Sequence, residues 1–328
     1  MKFRSRRVRL LTLGIVGPMM LAFAPAPASA KETCPPVVGE TSDRPALAWL
    51  KRLPNEQLVV YRGKPGDNSL YFTKFGYCGA PGQLPGASTS HGPALAWFAG
   101  RLYLAWKDAG GGAIMLSSTS DGISWAPPRH IVQDGGTSSA PTMAAYRDTL
   151  YIAWKGINDD QRMFMSWSLD GFNFGPQQQA VPDAGTSDGP SMVSTKSGIA
   201  MAWKGVHDDQ RMFYSRYNGW SWAPQLQAAP DAGTSHGPSL TTTLPDSDYS
   251  DDLRLVYKGV FDDVRVFTAY LNPHGQWIAQ EELPRDYFES NTGPAALGYG
   301  DSTNVMIGWK GSRDNTLYGR FWNVRDRW

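Results

Sequence analysis

The stretch DAGTSDGPSM, from Asp183 to Met192, returns almost unchanged as DAGTSHGPSL, from Asp231 to Leu240. Each copy contains a literal G-x-S-x-G, the string that carries the serine of a nucleophile elbow. An elbow serine needs a strand–turn–helix context, with a histidine and an acid brought to it. The flanking residues here predict strand–loop–strand instead, and the string breaks in a third copy at Gly136-Thr137-Ser138-Ser139-Ala140. Loop chemistry explains the composition more simply. Glycine permits unusual backbone angles, Ser and Thr hydroxyls bond nearby backbone groups, and proline opens a strand. Ser187 and Ser235 therefore read as structural residues of a repeat.

Aligning the chain on the proline that ends this stretch reveals the period. It recurs at Pro45, Pro93, Pro141, Pro190, Pro238 and Pro294, at intervals of 48, 48, 49, 48 and 56 residues. A second landmark runs in phase, an aromatic residue followed by a cation. It reads Tyr61-Arg62, Trp106-Lys107, Trp154-Lys155, Trp203-Lys204, Tyr257-Lys258 and Trp309-Lys310. Periods of this size belong to β-propeller blades. Within one repeat, Pro93–Phe98, Leu102–Lys107, Ala113–Ser118 and a segment around Trp125 alternate like strands, with Asp121-Gly122 as a hairpin turn. No segment beyond the N-terminal thirty residues sustains helical periodicity. A single four-stranded sheet cannot bury both faces, so the repeats must stack, and the expected fold is an all-β, six-bladed propeller of four-stranded antiparallel blades.

The chain ends predict how the ring closes. The sixth repeat stops at Trp328, too early to hold its own outer strand. At the other end, Pro35 to Ser42 mimics the outer-strand segment that runs from Ala223 to Ser235 in the fourth repeat. The N-terminal strand is expected to complete the sixth blade and to remove the exposed sheet edges.

The first thirty residues stand apart from the repeats. A basic start (Lys2, Arg4, Arg6, Arg7, Arg9) precedes the apolar run Leu10–Phe23 and the small-residue site Ala28-Ser29-Ala30, which together read as a cleaved export signal. Ser5-Arg6-Arg7 leaves the general and twin-arginine routes open. The domain organisation expected is thus a signal at 1–30 and one propeller domain at 31–328, placed outside the cell. Removing the signal's five cations moves the formal net charge from +1 to −4. A mildly acidic chain without a basic tract argues against nucleic acid or an anionic membrane as a partner, and the Leu10–Phe23 run is shorter than the roughly 20 residues a membrane span needs, so no membrane insertion is expected. Cys34 and Cys78 are the two cysteines; in an exported chain they predict one disulfide, which would latch the closure near blade one. No cysteine–histidine cluster points to zinc. The acidic insertion Asp246–Asp252 has calcium-like spacing without the glycine such a loop uses, so no cofactor is expected. The sequence does not set the oligomeric state.

Two repeated polar features are candidates for function. One position in the loop before each proline varies where its neighbours do not, reading Asp43, His91, Ser139, Asp188, His236 and Thr292. The other is the cation with a following Asp-x-Arg: Lys155 with Asp160 and Arg162, Lys204 with Asp209 and Arg211, Lys258 with Asp263 and Arg265. These elements hold loops together by ion pairing, or they form sugar pockets walled by Trp154, Trp203 or Tyr257. In the second case ring faces stack on C–H surfaces, and Asp and Arg accept from and donate to hydroxyls. Both features fall on one rim of the propeller, since the blade-to-blade link and the turn between strands two and three share a face.

The repeats W-K-G…D-Q-R…S-x-x-D-G-x-x-W-A-P-Q resemble those of bacterial families of secreted β-propellers. These are similar to propeller lectins and, more distantly, to the sialidase-like superfamily. Ser118-Thr119-Ser120-Asp121-Gly122-Ile123-Ser124-Trp125 approaches the sialidase Asp box, with the acid moved by one place, and the resemblance implies a fold-stabilising turn away from the active face. Repetition itself favours non-catalytic recognition of glycans, since related sites give avidity for surfaces that present many copies of a ligand, with Trp154, Lys155, Asp160, Arg162, Asp188, Trp203, Lys204, Asp209, Arg211, His236 and His91 as the ligand-binding candidates. Alternatives are a sialidase-like glycoside hydrolase, in which Arg162, Arg211 and Arg265 would imitate an arginine cluster, and a protein-interaction scaffold. None of the six glutamates recurs in the repeat.

Overall fold

A computed structural model describes residues 37–50, 56–77, 79–243, 251–272, 274–299 and 304–323. These form six four-stranded antiparallel sheets, and no helix occurs among them. Blade one comprises Ala46–Trp49, Gln57–Arg62, Ser69–Lys74 and Gly82–Ser88; blade two, Ala94–Phe98, Arg101–Lys107, Ile114–Thr119 and Arg129–Ile131. Blade three comprises Thr142–Tyr146, Thr149–Lys155, Arg162–Ser168 and Gln178–Gly185; blade four, Ser191–Thr195, Gly198–Lys204, Arg211–Tyr217 and Leu226–Gly233. Blade five comprises Ser239–Thr242, Leu253–Lys258, Val266–Leu271 and Trp277–Glu282. Blade six takes Ala295–Gly298, Asn304–Lys310 and Thr316–Asn323, and its fourth strand is Val37–Glu40.

Stacking follows from which strands are apolar on both faces. The second strand of blade four is buried along its whole length, whereas the fourth strand of blade three alternates buried and exposed pairs. Apolar clusters therefore run from blade to blade. Ala153, Met163 and Ala180 of blade three share one cluster with Met192, Ile199 and Trp203 of blade four. Burial of this kind contributes about 25 cal/mol per Å² of apolar surface, and only a neighbouring blade can supply it.

The N-terminal strand closes the ring as expected. Val37 pairs with Tyr318, Gly39 with Leu317 and Glu40 with Thr316, and the Thr41 N–H donates to Asn315 O at 2.6 Å. Innermost strands of adjacent blades are stapled by hydroxyls. Thr142 Oγ1 accepts from Met192 N at 2.8 Å, Ser191 Oγ from Leu240 N at 2.9 Å, and Ser239 Oγ from Ala296 N at 2.9 Å. At the far end of the axis the Trp97 indole donates to Trp49 O at 2.6 Å and the Trp49 indole to Gly298 O at 2.7 Å, linking blades two, one and six.

The Asp-box-like turns lie on the opposite face from the loop rim. Asp121 Oδ1 accepts from the N–H groups of Ile123 and Ser124, both at 2.8 Å, and Asp170 Oδ1 from those of Phe172 and Asn173, both at 2.7 Å. These backbone donors hold both carboxyls well below the usual carboxylate range. In blade four Asn218 does the same work through Oδ1, at 2.9 and 3.0 Å from Trp220 N and Ser221 N. The export signal, the disulfide expected between Cys34 and Cys78, and most of the acidic insertion fall outside the described residues.

Candidate functional site

The loop rim is held by a lysine in each of blades two to six, half-buried at Lys107 and buried in blades three to six. Lys204 Nζ donates to Ser187 Oγ at 2.8 Å and to His207 O at 2.8 Å; Lys155 Nζ donates to Ser138 Oγ at 2.7 Å and to Asn158 O at 2.8 Å. Lys258 does likewise with Ser235 and Phe261. Each ammonium thus bridges the loop before one proline to the turn between strands two and three of the next blade. The carbonyls it satisfies belong to residues in the left-handed region, Asn158 (φ 55°), His207 (φ 49°) and Phe261 (φ 48°). Non-glycine residues there are strained, and the charge-assisted bond offsets part of that cost. Ser187 and Ser235 accept these ammoniums, so they are fasteners of the rim.

Several candidates from the sequence have a structural place. Trp154 and Trp203 are fully buried, 0 % exposed, and present no ring face to a ligand, which corrects the expectation that they wall a sugar pocket. Lys155 and Lys204 are buried and bonded as above. Asp160 is paired with Arg162 through contacts of 2.9 and 2.7 Å, and Asp209 with Arg211 through the same two distances. The arginines hold these carboxyls below their ordinary range. Their guanidiniums cover Phe164 and Phe213, at 5.2 and 5.3 Å from the ring centroids. Arg162, Arg211 and Arg265 therefore lie at three separate blade junctions, each with an aspartate of its own blade.

The variable loop position forms a ring at the mouth of the axis. Asp43, His91, Asp188, His236 and Thr292 line a cavity of about 310 Å³ together with Arg44. Asp188 Oδ1 accepts from Ser139 Oγ at 2.8 Å and from Gly189 N at 2.7 Å, and its Oδ2 accepts from Gly237 N at 2.7 Å. Burial opposes ionisation of this carboxyl, but the Gly237 N–H, the Arg44 charge and the Ser139 hydroxyl outweigh it and leave its pKa lowered. Asp43 Oδ2 takes the corresponding N–H of Gly92 at 3.0 Å. Burial pushes His91 and His236 below their ordinary pKa, so both are neutral at neutral pH.

The residue before each proline is glycine in four repeats for a steric reason. An added Cβ would sit 2.5 Å from Arg44 O at Gly92, 2.7 Å from Ala140 O at Gly189 and 2.8 Å from Gly237 O at Gly293. Blade one breaks this rule with Arg44, whose Nη1 crosses the mouth to Gly237 O and Pro238 O at 3.3 and 3.2 Å. Sequence reasoning missed Arg44, although a cation standing in a glycine slot was the available signal.

A second concavity lies between blades five and six, about 450 Å³ in volume. It exists because that junction departs from the others at three places. In blades three and four the glycines paired with the rim arginines, Gly185 and Gly233, pack against Val206 and Val260 of the next blade. At the fifth junction Glu289 is the partner of Arg265, and its Oε2 accepts from Ser312 Oγ at 3.0 Å instead of making an apolar contact. Thr316 replaces the rim arginine and leaves the Tyr318 ring on the cavity wall. The turn Pro284–Phe288 projects Arg285, Asp286 and Tyr287 over the opening, held from below by Phe288, which is fully buried against Trp309 at a centroid distance of 4.7 Å. Arg313, Asp314 and Ser312 form the other lip, and Tyr318 Oη donates to Asp314 Oδ2 at 3.2 Å. The groove went unnoticed in the sequence because its signals are single departures from a repeat, spread over three segments.

Among the described residues no group of three or more His, Cys, Asp or Glu side chains is placed to hold a metal ion. No protein-family model matches the chain, and no curated protein matches it. Solved structures do match. The fucose-specific lectin from Aleuria aurantia, in a mercury-derivative form, has a TM-score of 0.64 at 11 % identity, covering 88 % of this chain and 95 % of that one. A further structure of the Aleuria aurantia lectin, described as a six-bladed β-propeller with a novel fucose-recognition mode, has a TM-score of 0.59 at 10 % identity, covering 86 % and 91 %. A neuraminidase-like protein of A/little yellow-shouldered bat/Guatemala has a TM-score of 0.56 at 8 % identity, covering 87 % and 96 %. At these identities the likeness is one of fold.

Proposed function

We propose that this protein is an exported, lectin-like propeller that recognises carbohydrate without turning it over, and that the groove between blades five and six is its binding site. The observation that carries the reading is the composition of that groove. Tyr318 offers aromatic surface, as does the part of the half-exposed Tyr287 ring not covered by the Arg320 guanidinium 3.7 Å from its centroid, while Glu289, Asp314, Arg285 and Arg313 offer planar acceptors and donors around a concave space of about 450 Å³. Saccharides need this pairing of ring faces for C–H surfaces with fixed polar groups for hydroxyls. The likeness of fold to fucose-binding lectins lends support by analogy only. For the sialidase-like alternative, the axial cavity would need converging arginines and a carboxyl with a raised pKa. Arg162, Arg211 and Arg265 do not line it, and the Asp188 carboxyl is held low.

A glycan array followed by calorimetry on the best glycan tests the proposal. Tyr287→Ala and Glu289→Gln should each weaken binding by about 30-fold, the effect of removing an interface anchor. Release of fluorophore from a synthetic sialoside would overturn the non-catalytic reading. Binding to no glycan on the array would favour the scaffold instead.

A further inference from the structure

We propose that the axial cavity is a second, independent binding site, built for one neutral, hydroxyl-rich ring about the size of a monosaccharide. Its volume of about 310 Å³ lies at the small end of the roughly 300–1,000 Å³ range of small-molecule pockets. The five polar side chains that define it, Asp43, Arg44, His91, Asp188 and His236, come from four blades. They occupy the two loop positions at which the repeats diverge.

The hydrogen-bonding state of these groups follows from their neighbours. Lys107 Nζ donates to Ser90 Oγ at 2.8 Å, and an ammonium can only donate. Among the described residues the Ser90 hydroxyl hydrogen has one acceptor, His91 Nδ1, 3.0 Å away, and we assign it there. That bond places the imidazole's own hydrogen on Nε2, which has no partner among the described residues. Ser235 likewise accepts from Lys258 Nζ at 2.9 Å and lies 3.2 Å from His236 Nδ1, but its hydroxyl hydrogen also has Gly259 O at 3.2 Å and Phe261 O at 3.3 Å as acceptors, so His236 can present its Nε2 as donor or acceptor. Arg44 uses Nη1 on two carbonyls of the fifth-blade loop, which fixes the guanidinium and leaves Nη2 and Nε as further donors. Asp188 Oδ2 receives one backbone N–H and keeps a second lone pair. The mouth thus brings donors and acceptors from four blades to one cavity, the combination that ring hydroxyls need.

Charge narrows the class. Two carboxylates and one guanidinium stand beside two neutral imidazoles, and the Lys107 and Lys258 ammoniums lie behind these at Ser90 and Ser235, so the surroundings favour neither sign of charge. An acidic sugar would meet Asp43 and Asp188, and an ammonium would meet Arg44. A neutral polyol satisfies all five groups without an unpaired charge, which is costly to bury. The inference shares the saccharide chemistry of the preceding proposal but uses none of its residues.

Imidazole ¹⁵N–¹H spectra of the full-length protein test it, with the His91 and His236 signals assigned through His91→Gln and His236→Gln. The probes are glucose, galactose, mannose and fucose, with galacturonic acid and glucosamine as charged counterparts. The expected result is that at least one neutral sugar shifts both signals in a saturable way, and that neither charged sugar does. Arg44→Gly, which installs the residue four other blades carry at this position, should weaken that titration about tenfold. Thr316→Arg, which alters only the groove between blades five and six, should leave it unchanged. Unmoved His91 and His236 signals with every neutral sugar would overturn this site while leaving the groove intact. Equal shifts with a charged sugar would overturn the ligand class, and an undiminished titration in Arg44→Gly would overturn the part given to the guanidinium. Loss of groove binding in Thr316→Arg with the imidazole titration preserved would confirm two separate sites.

Discussion

Thr316→Arg restores in blade six the arginine that blades three to five carry at the equivalent position of their own junctions. Blade four supplies the geometry to expect, with Arg211 Nη2 2.7 Å from Asp209 Oδ2 and its guanidinium 5.3 Å from the Phe213 centroid. In blade six the equivalent partners are Asp314 and Tyr318, and Thr316 N already donates to Asp314 Oδ1 at 2.9 Å, as Arg211 N does to Asp209 at 3.0 Å. The new ion pair is exposed and contributes about 0.2–1 kcal/mol, and a cation over Tyr318 adds about 0.5–1 kcal/mol. Against this stand up to ~2 kcal/mol of side-chain ordering and about 1 kcal/mol for the displaced Tyr318–Asp314 bond. The balance runs from about 1 kcal/mol stabilising to about 2 kcal/mol destabilising, which for a domain of this size moves Tm by no more than ~8 °C. Binding behaves differently, because the guanidinium now covers the ring that the ligand would use. Loss of such an anchor costs about 2 kcal/mol, roughly 30-fold in Kd. Calorimetric titration with the best glycan and a thermal melt of the same sample check both halves. An unchanged Kd with the guanidinium seated over Tyr318 in a crystal structure would refute the groove as the binding site.

Other perturbations separate the roles of the repeated residues. Lys204→Met keeps the buried stem but leaves Ser187 Oγ and His207 O without their donor, so it should lower stability by about 3 kcal/mol in urea titrations. Tyr257→Phe should be neutral or stabilising by about 1 kcal/mol, since the Tyr257 hydroxyl is buried with no partner among the described residues. Gly189→Ala puts a Cβ 2.7 Å from Ala140 O and should cost about 1–3 kcal/mol, measured the same way. The folded-state pKa values of His91 and His236 are depressed, so the unfolded chain binds more protons as pH falls below about 6.5. Stability should decline from there and fall further below about pH 4 through Asp121, Asp188 and Asp209, whose pKa values are also lowered. His91→Gln with His236→Gln should flatten the first decline only, as seen in melts across pH.

What was legible in the sequence is what repeats. The proline and aromatic–cation landmarks specify six blades because every copy must present the same apolar faces to its neighbours, and the likeness of Pro35–Ser42 to an outer strand pointed to the pairing of Val37–Glu40 with blade six. The sharing of one rim by the pre-proline loop and the Lys-containing turn was equally readable, since it follows from strand order. The uses of individual side chains were not. Trp154 and Trp203 look like ring walls for sugar until stacking places them in the core, and Lys155 and Lys204 look like ligands until their ammoniums meet the carbonyls of strained turns.

The opening pair of stretches shows where the division falls. That DAGTSDGPSM and DAGTSHGPSL are blade-to-blade loops is decided by period and composition alone. That Asp188 and His236 face one cavity with Asp43, His91 and Arg44 is decided by ring closure, which brings Arg44 and Pro238, 194 positions apart, into hydrogen-bonding distance across the axis. The groove between blades five and six depends in the same way on Glu289, Tyr287 and Thr316, each unremarkable in its own repeat. A repeat pattern reports what every blade must do to be stacked, whereas a binding site is made of departures from it, and only the closed ring decides which departures meet.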